Sequence, residues 1–288
     1  MNEAELVLSR ILQSDRPSLY LSRNVRLDKA VAGAISSVLK RRIKGEPLAY
    51  ILGKADFFGL EFNISPDVLV PRPETEILVE TALRQSLVVG RWSLDLRILD
   101  LGTGSGCIAI SLAKELPFAK IDAVDISQGA LKVAQENARF HNVEINFRQR
   151  DLFSTEFAEL ETSYLSEPTN LSSRHGSKNK FVGESRIYDL IVSNPPYIRS
   201  AEIEGLQPEV RQEPRVALDG GSDGLDFYRR ITKTAPRHLE EGGLLVMEMG
   251  YNQREAIEKI CQGSGRLKVL EVVKDYSGID RVIVTKKG

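Results

Sequence analysis

The 288-residue sequence predicts an α/β fold: a doubly wound sheet of seven strands with an antiparallel last strand, preceded by a small helical domain. Three observations predict it. From Pro73 onward short apolar runs alternate with helical stretches. The last two runs are joined by only Lys274 to Asp280, too short for a crossover helix. The first fifty residues, finally, carry helical spacing.

Taken in order, residues 1–52 read as the helical domain. Leu27, Val31, Ile35, Val38 and Arg42 share one helix face, and Arg41-Arg42-Ile43-Lys44 before Gly45 and Pro47 suits the negative end of a helix and its stop. Residues 53–72 read as a β-hairpin connector, with Phe58, Leu60, Phe62 and Ile64 alternating before a turn at Ser65-Pro66-Asp67 leads into Val68-Leu69-Val70. Residues 73–288 form the large domain. Its strands are expected at Arg97–Leu101, Lys120–Asp125, Glu144–Gln149, Tyr188–Ser193, Leu244–Met249, Leu267–Val273 and Arg281–Thr285, with helices such as Ile108–Leu116 and Ala130–Phe140 between them. Ser163–Ser185, rich in Ser, Asn, Gly and Lys, breaks the pattern and reads as a polar surface insertion.

Composition narrows the function. With 42% hydrophobic and 27% charged residues, no run of 18 apolar residues and an acidic start, the chain is expected to be soluble and cytoplasmic, away from membranes. Cys107 and Cys261 form no close pair and His141, His175 and His238 are scattered, so neither a disulfide framework nor a metal site is expected. The net charge is −1, split as +4 over residues 1–50 and −5 over the rest, which argues against stable nucleic-acid binding. The basic N-terminal lobe suits an acidic partner, and equally a solvated surface.

Strand Arg97–Leu101 runs into Gly102-Thr103-Gly104-Ser105-Gly106 and then a helix. Glycines there let the backbone turn sharply and approach a ligand, while Cys107 breaks the spacing of a dinucleotide fingerprint. Asp125 ends the second strand, where a carboxylate accepts both hydroxyls of a ribose; it equally suits a helix N-cap. Asp151-Leu152-Phe153 follows the third, offering an acceptor for an adenine amino group beside apolar cover for its ring, with a turn or cap residue as the other reading of Asp151. Three such features at successive strand ends point to one nucleoside-binding crevice.

Strand Asp189–Ser193 ends in Asn194-Pro195-Pro196-Tyr197. Two prolines stiffen the turn, so the Asn194 amide oxygen and a proline carbonyl are held as two acceptors that match the two hydrogens of a planar NH₂ group. Acceptors gripping those hydrogens favour positive charge growing on the nitrogen, and Tyr197 can stack on the planar target. Glu248, ending another strand, is read as a strand-end hydrogen-bond partner, with a substrate-side carboxylate as the other reading.

The glycine loop together with Asn194–Tyr197 resembles the class I S-adenosylmethionine-dependent amino-methyltransferases. More narrowly, the chain resembles the HemK/PrmC family of release factor glutamine methyltransferases, through Gly45–Gly53, Phe57-Phe58-Gly59, Pro71–Glu76, Glu213–Gly221 and Gly278–Val282. The resemblance implies a methyltransferase fold and the cofactor S-adenosylmethionine, held by Gly102–Gly106, Asp125, Leu152 and Asn194. It implies a class I peptide-chain release factor as protein substrate, methylated on the N5 nitrogen of the glutamine of its Gly-Gly-Gln motif. Asn194, Pro195, Pro196 and Tyr197 would hold that glutamine, Arg72 would lie on the substrate side, and the helical domain would help hold the factor. The protein is expected to act as a monomer. A DNA or RNA amino-methyltransferase presents the same NH₂ chemistry, but the −5 charge of the larger domain speaks against it. Methylation of a ribosomal-protein glutamine is the nearer rival, and a non-catalytic cofactor-binding assembly factor the third.

Overall fold

The computed structural model describes residues 3–21, 27–88, 96–151 and 187–288. Leu152, Phe153 and the Ser163–Ser185 insertion therefore lie outside the described residues. The N-terminal lobe contains α1 (Glu3–Leu12), α2 (Arg16–Leu21), α3 (Lys29–Ile43) and α4 (Leu48–Leu52). Asp28 caps α3 by accepting from the Val31 amide. Val31, Ile35, Val38 and Arg42 are the less exposed stripe of α3, although none is fully buried, whereas Leu27 precedes the cap and is exposed, outside the stripe its spacing suggested.

A two-stranded hairpin follows, β1 (Lys54–Phe57) paired antiparallel with β2 (Leu60–Asn63). This corrects the expected position of the turn: it falls at Phe58-Gly59, both at positive φ, and Val68–Val70 is not a strand. Glycine adopts that conformation freely, and the two-residue turn closes the ladder before Ser65 is reached.

The main sheet has seven strands in the order β5-β4-β3-β6-β7-β9-β8. They are β3 (Arg97–Leu101), β4 (Lys120–Asp125), β5 (Asn146–Gln149), β6 (Tyr188–Ser193), β7 (Leu239–Glu248), β8 (Leu267–Lys274) and β9 (Asp280–Lys287). β9 pairs antiparallel with both β7 and β8, as the short link demands. β7 begins at Leu239, earlier than the apolar run, because Leu239 pairs with Tyr188 before the ladder shifts register to Leu190 and Leu244.

Alternate residues of each strand face opposite layers. Ile98, Leu190, Val192 and Val246 join a core with α5 (Glu76–Val88), α6 (Cys107–Glu115) and α7 (Gln128–Phe140), while Leu99, Ile191, Leu245 and Met247 pack with α8 (Asp226–His238) and α9 (Arg254–Gly263). The hairpin joins the first core through Phe57 and Phe62.

Asn137 locks the hairpin to the sheet. Fully buried on α7, its amide donates to the carbonyls of Asn63 (3.0 Å) and Ser105 (2.9 Å) and accepts from the Asn63 amide (2.8 Å). Asn137→Ala strands three backbone groups, so it is expected to cost about 2 kcal/mol of unfolding free energy, read from denaturant titration.

Candidate active site

The order of the sheet reverses between β3 and β6, so their C-terminal ends open a crevice. Leu101 pairs with Ser193, and the Ser193 hydroxyl donates to the Leu101 carbonyl (2.8 Å). Gly102 and Asn194 consequently leave the sheet side by side. The glycine loop and the Asn-Pro-Pro-Tyr turn, 92 residues apart in the chain, share one site.

The loop is built from backbone geometry. Gly102, Gly104 and Gly106 all have positive φ, and a Cβ at Gly102 or Gly104 would meet nothing within 4 Å. These two glycines line open space, while Gly106 lies against Ile110 and Ala134. Thr103 donates to Asp100 (2.7 Å), and Asp125 accepts from the amides of Gly104 (2.8 Å) and Ser127 (2.9 Å). The cap of α7 is Ser127, accepting from Ala130, so Asp125 is not the N-cap.

Asp100 is fully buried, with one carboxylate oxygen making no hydrogen bond of normal geometry. Burial, with the neighbouring Asp125 charge, pushes its pKa up to about 7. Burial likewise raises Asp125. Among the described residues neither carboxylate is in a salt bridge. Open space over glycine, flanked by two desolvated carboxylates, fits a nucleoside ligand carrying positive charge. Asp151 follows β5, next to Arg150, whose amide donates to the Asp125 carbonyl (3.0 Å).

On the opposite side of the crevice, Asn194 donates through Nδ2 to Thr75 Oγ1 (3.0 Å), and Thr75 donates to Glu248 Oε2 (2.6 Å). Tyr197 donates its phenol hydrogen to Glu248 Oε1 (3.3 Å). Glu248 is therefore a strand-end hydrogen-bond partner, fully buried. Its desolvation is offset in part by Arg281, which is held by Asp275 and donates to the Met249 carbonyl (3.2 Å). Arg281 belongs to the Gly278–Val282 motif. Burial and the Glu248 charge raise the Tyr197 phenol, so it stays protonated and a donor.

Tyr197 is gripped from behind. Gln253 Nε2 donates to its carbonyl (2.9 Å), and Gln253 Oε1 accepts from Gly250 (3.1 Å). Added Cβ atoms at Gly220, Gly224 and Gly250 would sit 2.8, 2.5 and 2.9 Å from Tyr197 atoms. Arg72 pairs with Glu213 (2.5 Å), whose other oxygen accepts from Val70 (3.0 Å), so the Glu213–Gly221 segment braces the connector. Thr75 is given by the sequence only as part of the Pro71–Glu76 motif, without a role of its own, and Asn137 not at all. A usable signal exists for Asn137, a polar residue on the apolar stripe of Ala130, Ala134 and Ala138.

Residues 1–53 match the family described as PrmC N-terminal domain, and residues 74–168 the Methyltransferase small domain. A release factor glutamine methyltransferase of Geobacter sulfurreducens is 42% identical over 282 residues, covering 98% of this chain and 87% of that protein. The chain belongs to the release factor glutamine methyltransferase family. A second relative of that name, from Thermodesulfovibrio yellowstonii, is 39% identical, covering 100% of this chain and 92% of its own. Among solved structures, the hMettl16 catalytic domain with MAT2A 3'UTR hairpin 1 aligns at TM-score 0.55 and 15% identity, covering 92% of this chain and 82% of that one. A methyltransferase from Pyrococcus furiosus aligns at 0.52 and 16%, covering 88% and 99%. Both likenesses establish the fold alone. As a member of this methyltransferase family, the protein takes S-adenosylmethionine as its methyl donor. Among the described residues no helix is long and apolar enough to cross a membrane, and no three metal-ligating side chains cluster.

Proposed function

We propose that this protein transfers a methyl group to the N5 amide nitrogen of the glutamine in the Gly-Gly-Gln motif of a class I peptide-chain release factor, acting as a monomer in the cytoplasm. One observation supports the chemistry: Asn194 donates through its amide nitrogen to Thr75, which would leave its oxygen to accept from a target NH₂ group. The names of full-length relatives support the substrate. Bound at the glycine loop, S-adenosylmethionine supplies an electrophilic methyl group. Gly102, Thr103, Gly104, Ser105 and Gly106 would lie against it, with Asp125 on the ribose and Asp151, Leu152 or Phe153 on the adenine.

The chain's own residues then orient and stabilise. Asn194 Oδ1 and the Pro195 carbonyl accept the two hydrogens of the target amide, so positive charge developing on nitrogen is met by two fixed dipoles. No strong base is needed, because a protonated N-methyl amide is very acidic. Pro196 stiffens the turn and Tyr197 covers the planar target.

Residues 1–52 would hold the factor, using a surface with Leu39 and Ile43 exposed beside Lys40, Arg41 and Lys44. Residues 53–72 would connect that domain to residues 73–288, with Arg72 facing the substrate side. The −5 charge beyond residue 50 speaks against the nucleic-acid reading.

Asp125→Ala is expected to weaken S-adenosylmethionine binding roughly tenfold, as charge-assisted hydrogen bonds to a ribose are lost. Calorimetric titration measures it, and unchanged affinity would remove Asp125 from the site. The methylation itself is tested with purified release factor and its Gln→Ala variant at the Gly-Gly-Gln motif: label enters the first and not the second.

A further inference from the structure

We propose that Thr75 is a positioning residue that sets which way the Asn194 amide faces, with the Glu248 carboxylate fixing the polarity of the Thr75 hydroxyl. The inference rests on the reading of Asn194 as acceptor for the target amide.

A hydroxyl has one hydrogen, and an ionised carboxylate only accepts. Thr75 Oγ1 lies 2.6 Å from Glu248 Oε2, so its hydrogen goes to the carboxylate. Only lone pairs then remain to face Asn194, 3.0 Å away, and Asn194 must present its NH₂ side to Thr75. Its oxygen is thereby aimed elsewhere, and a flipped amide would set oxygen against oxygen. Thr75 and Glu248 are both buried, so no bulk water relieves that conflict.

The same carboxylate also receives the Tyr197 hydroxyl, so both ends of the tetrapeptide hang from one anchor. Thr75 itself is placed by the 3₁₀ turn Pro73–Thr75, whose amide donates back to the Arg72 carbonyl (3.0 Å).

A protonated Glu248 would carry a hydrogen of its own, and the polarity of the chain would no longer be dictated. Burial pushes Glu248 up to about 7; the Thr75 hydrogen bond, the Arg281 charge and the Tyr197 hydroxyl oppose the rise, and Glu74 adds to it. The Tyr228 hydroxyl lies on the Glu248 backbone carbonyl (2.9 Å), and the Cys107 thiol, buried and pushed up to about 12, stays neutral. The ordered arrangement is thus present above about pH 7 and lost as pH falls through it.

Single-turnover methylation of the release factor, followed from pH 6 to 9 on about six points, tests the proposal with Thr75→Val, Thr75→Ser, Asn194→Ala and the Thr75→Val/Asn194→Ala double variant. Thr75→Val is expected to slow transfer about 10- to 30-fold, with S-adenosylmethionine affinity within about twofold and the thermal midpoint within a few degrees. Thr75→Ser should recover most of the rate. In the Asn194→Ala background the Thr75→Val change should cost less than about twofold more, because Thr75 acts through Asn194. Losses that multiply in the double variant, or a Thr75→Val enzyme as fast as wild type, would overturn the inference while leaving the role of Asn194 intact. Normal transfer by Asn194→Ala alone would sink the underlying reading, and this one with it. Should Thr75→Val not fold, Glu248→Gln serves: it should abolish the fall in rate below about pH 7, and persistence of that fall would contradict the proposal.

Discussion

Asn194→Ala is expected to slow methyl transfer about 10²- to 10³-fold, the scale on which a single preorganised dipole at a developing charge acts. The amide that carries this oxygen is fixed through its nitrogen by a chain running through Thr75 to Glu248. Factor binding should change little, because most of the protein contact would lie on the N-terminal lobe, the hairpin and Tyr197. The loss therefore belongs in the single-turnover rate and not in the dissociation constant. A variant impaired only in binding the factor would make the tetrapeptide a docking element. A free Gly-Gly-Gln peptide should be a much poorer substrate than the whole factor, since it forfeits remote contacts and meets the ordering entropy alone.

Gly224→Ala should slow transfer by about 10²-fold without touching the target amide. Its φ of +77° is unfavourable for alanine, and the new Cβ would fall 2.5 Å from the Tyr197 carbonyl oxygen and 2.8 Å from Gln253 Nε2. Those two atoms are hydrogen-bonded to each other at 2.9 Å, so the clamp on Tyr197 must open. Cofactor affinity should stay within a few-fold, because Gly224 lies on the tetrapeptide side of the crevice. Stopped single-turnover rates with parallel calorimetry separate the two, and a normal rate in a folded Gly224→Ala enzyme would show that the turn tolerates displacement of Tyr197.

The sheet was legible because its signals are local. Each strand is a short apolar run ending in a turn residue, and the antiparallel β9 follows from the length of one link. The glycine loop and Asn194–Tyr197 were legible for the same reason, since each motif is contiguous and sits at a strand end. The hairpin was less so: Phe58 at φ +50° turns the chain where an aromatic residue in an alternating run reads as strand. The supports of the site were hidden because they cross the chain. Thr75 meets Asn194 119 residues away and Glu248 173 away, and Gln253 reaches back 56 to Tyr197. Spacing along the sequence carries no trace of such pairs, and Glu248, like Asp125, offered two readings until its partners were seen.

The central claim is tested most directly by mass spectrometry of a class I release factor incubated with this protein and methyl-labelled S-adenosylmethionine. A single methyl group is expected on the side-chain amide nitrogen of the Gly-Gly-Gln glutamine, formed by the wild-type enzyme and nearly abolished in Asn194→Ala. An unlabelled glutamine, with label appearing on another residue or on nucleic acid in the same mixture, would contradict it.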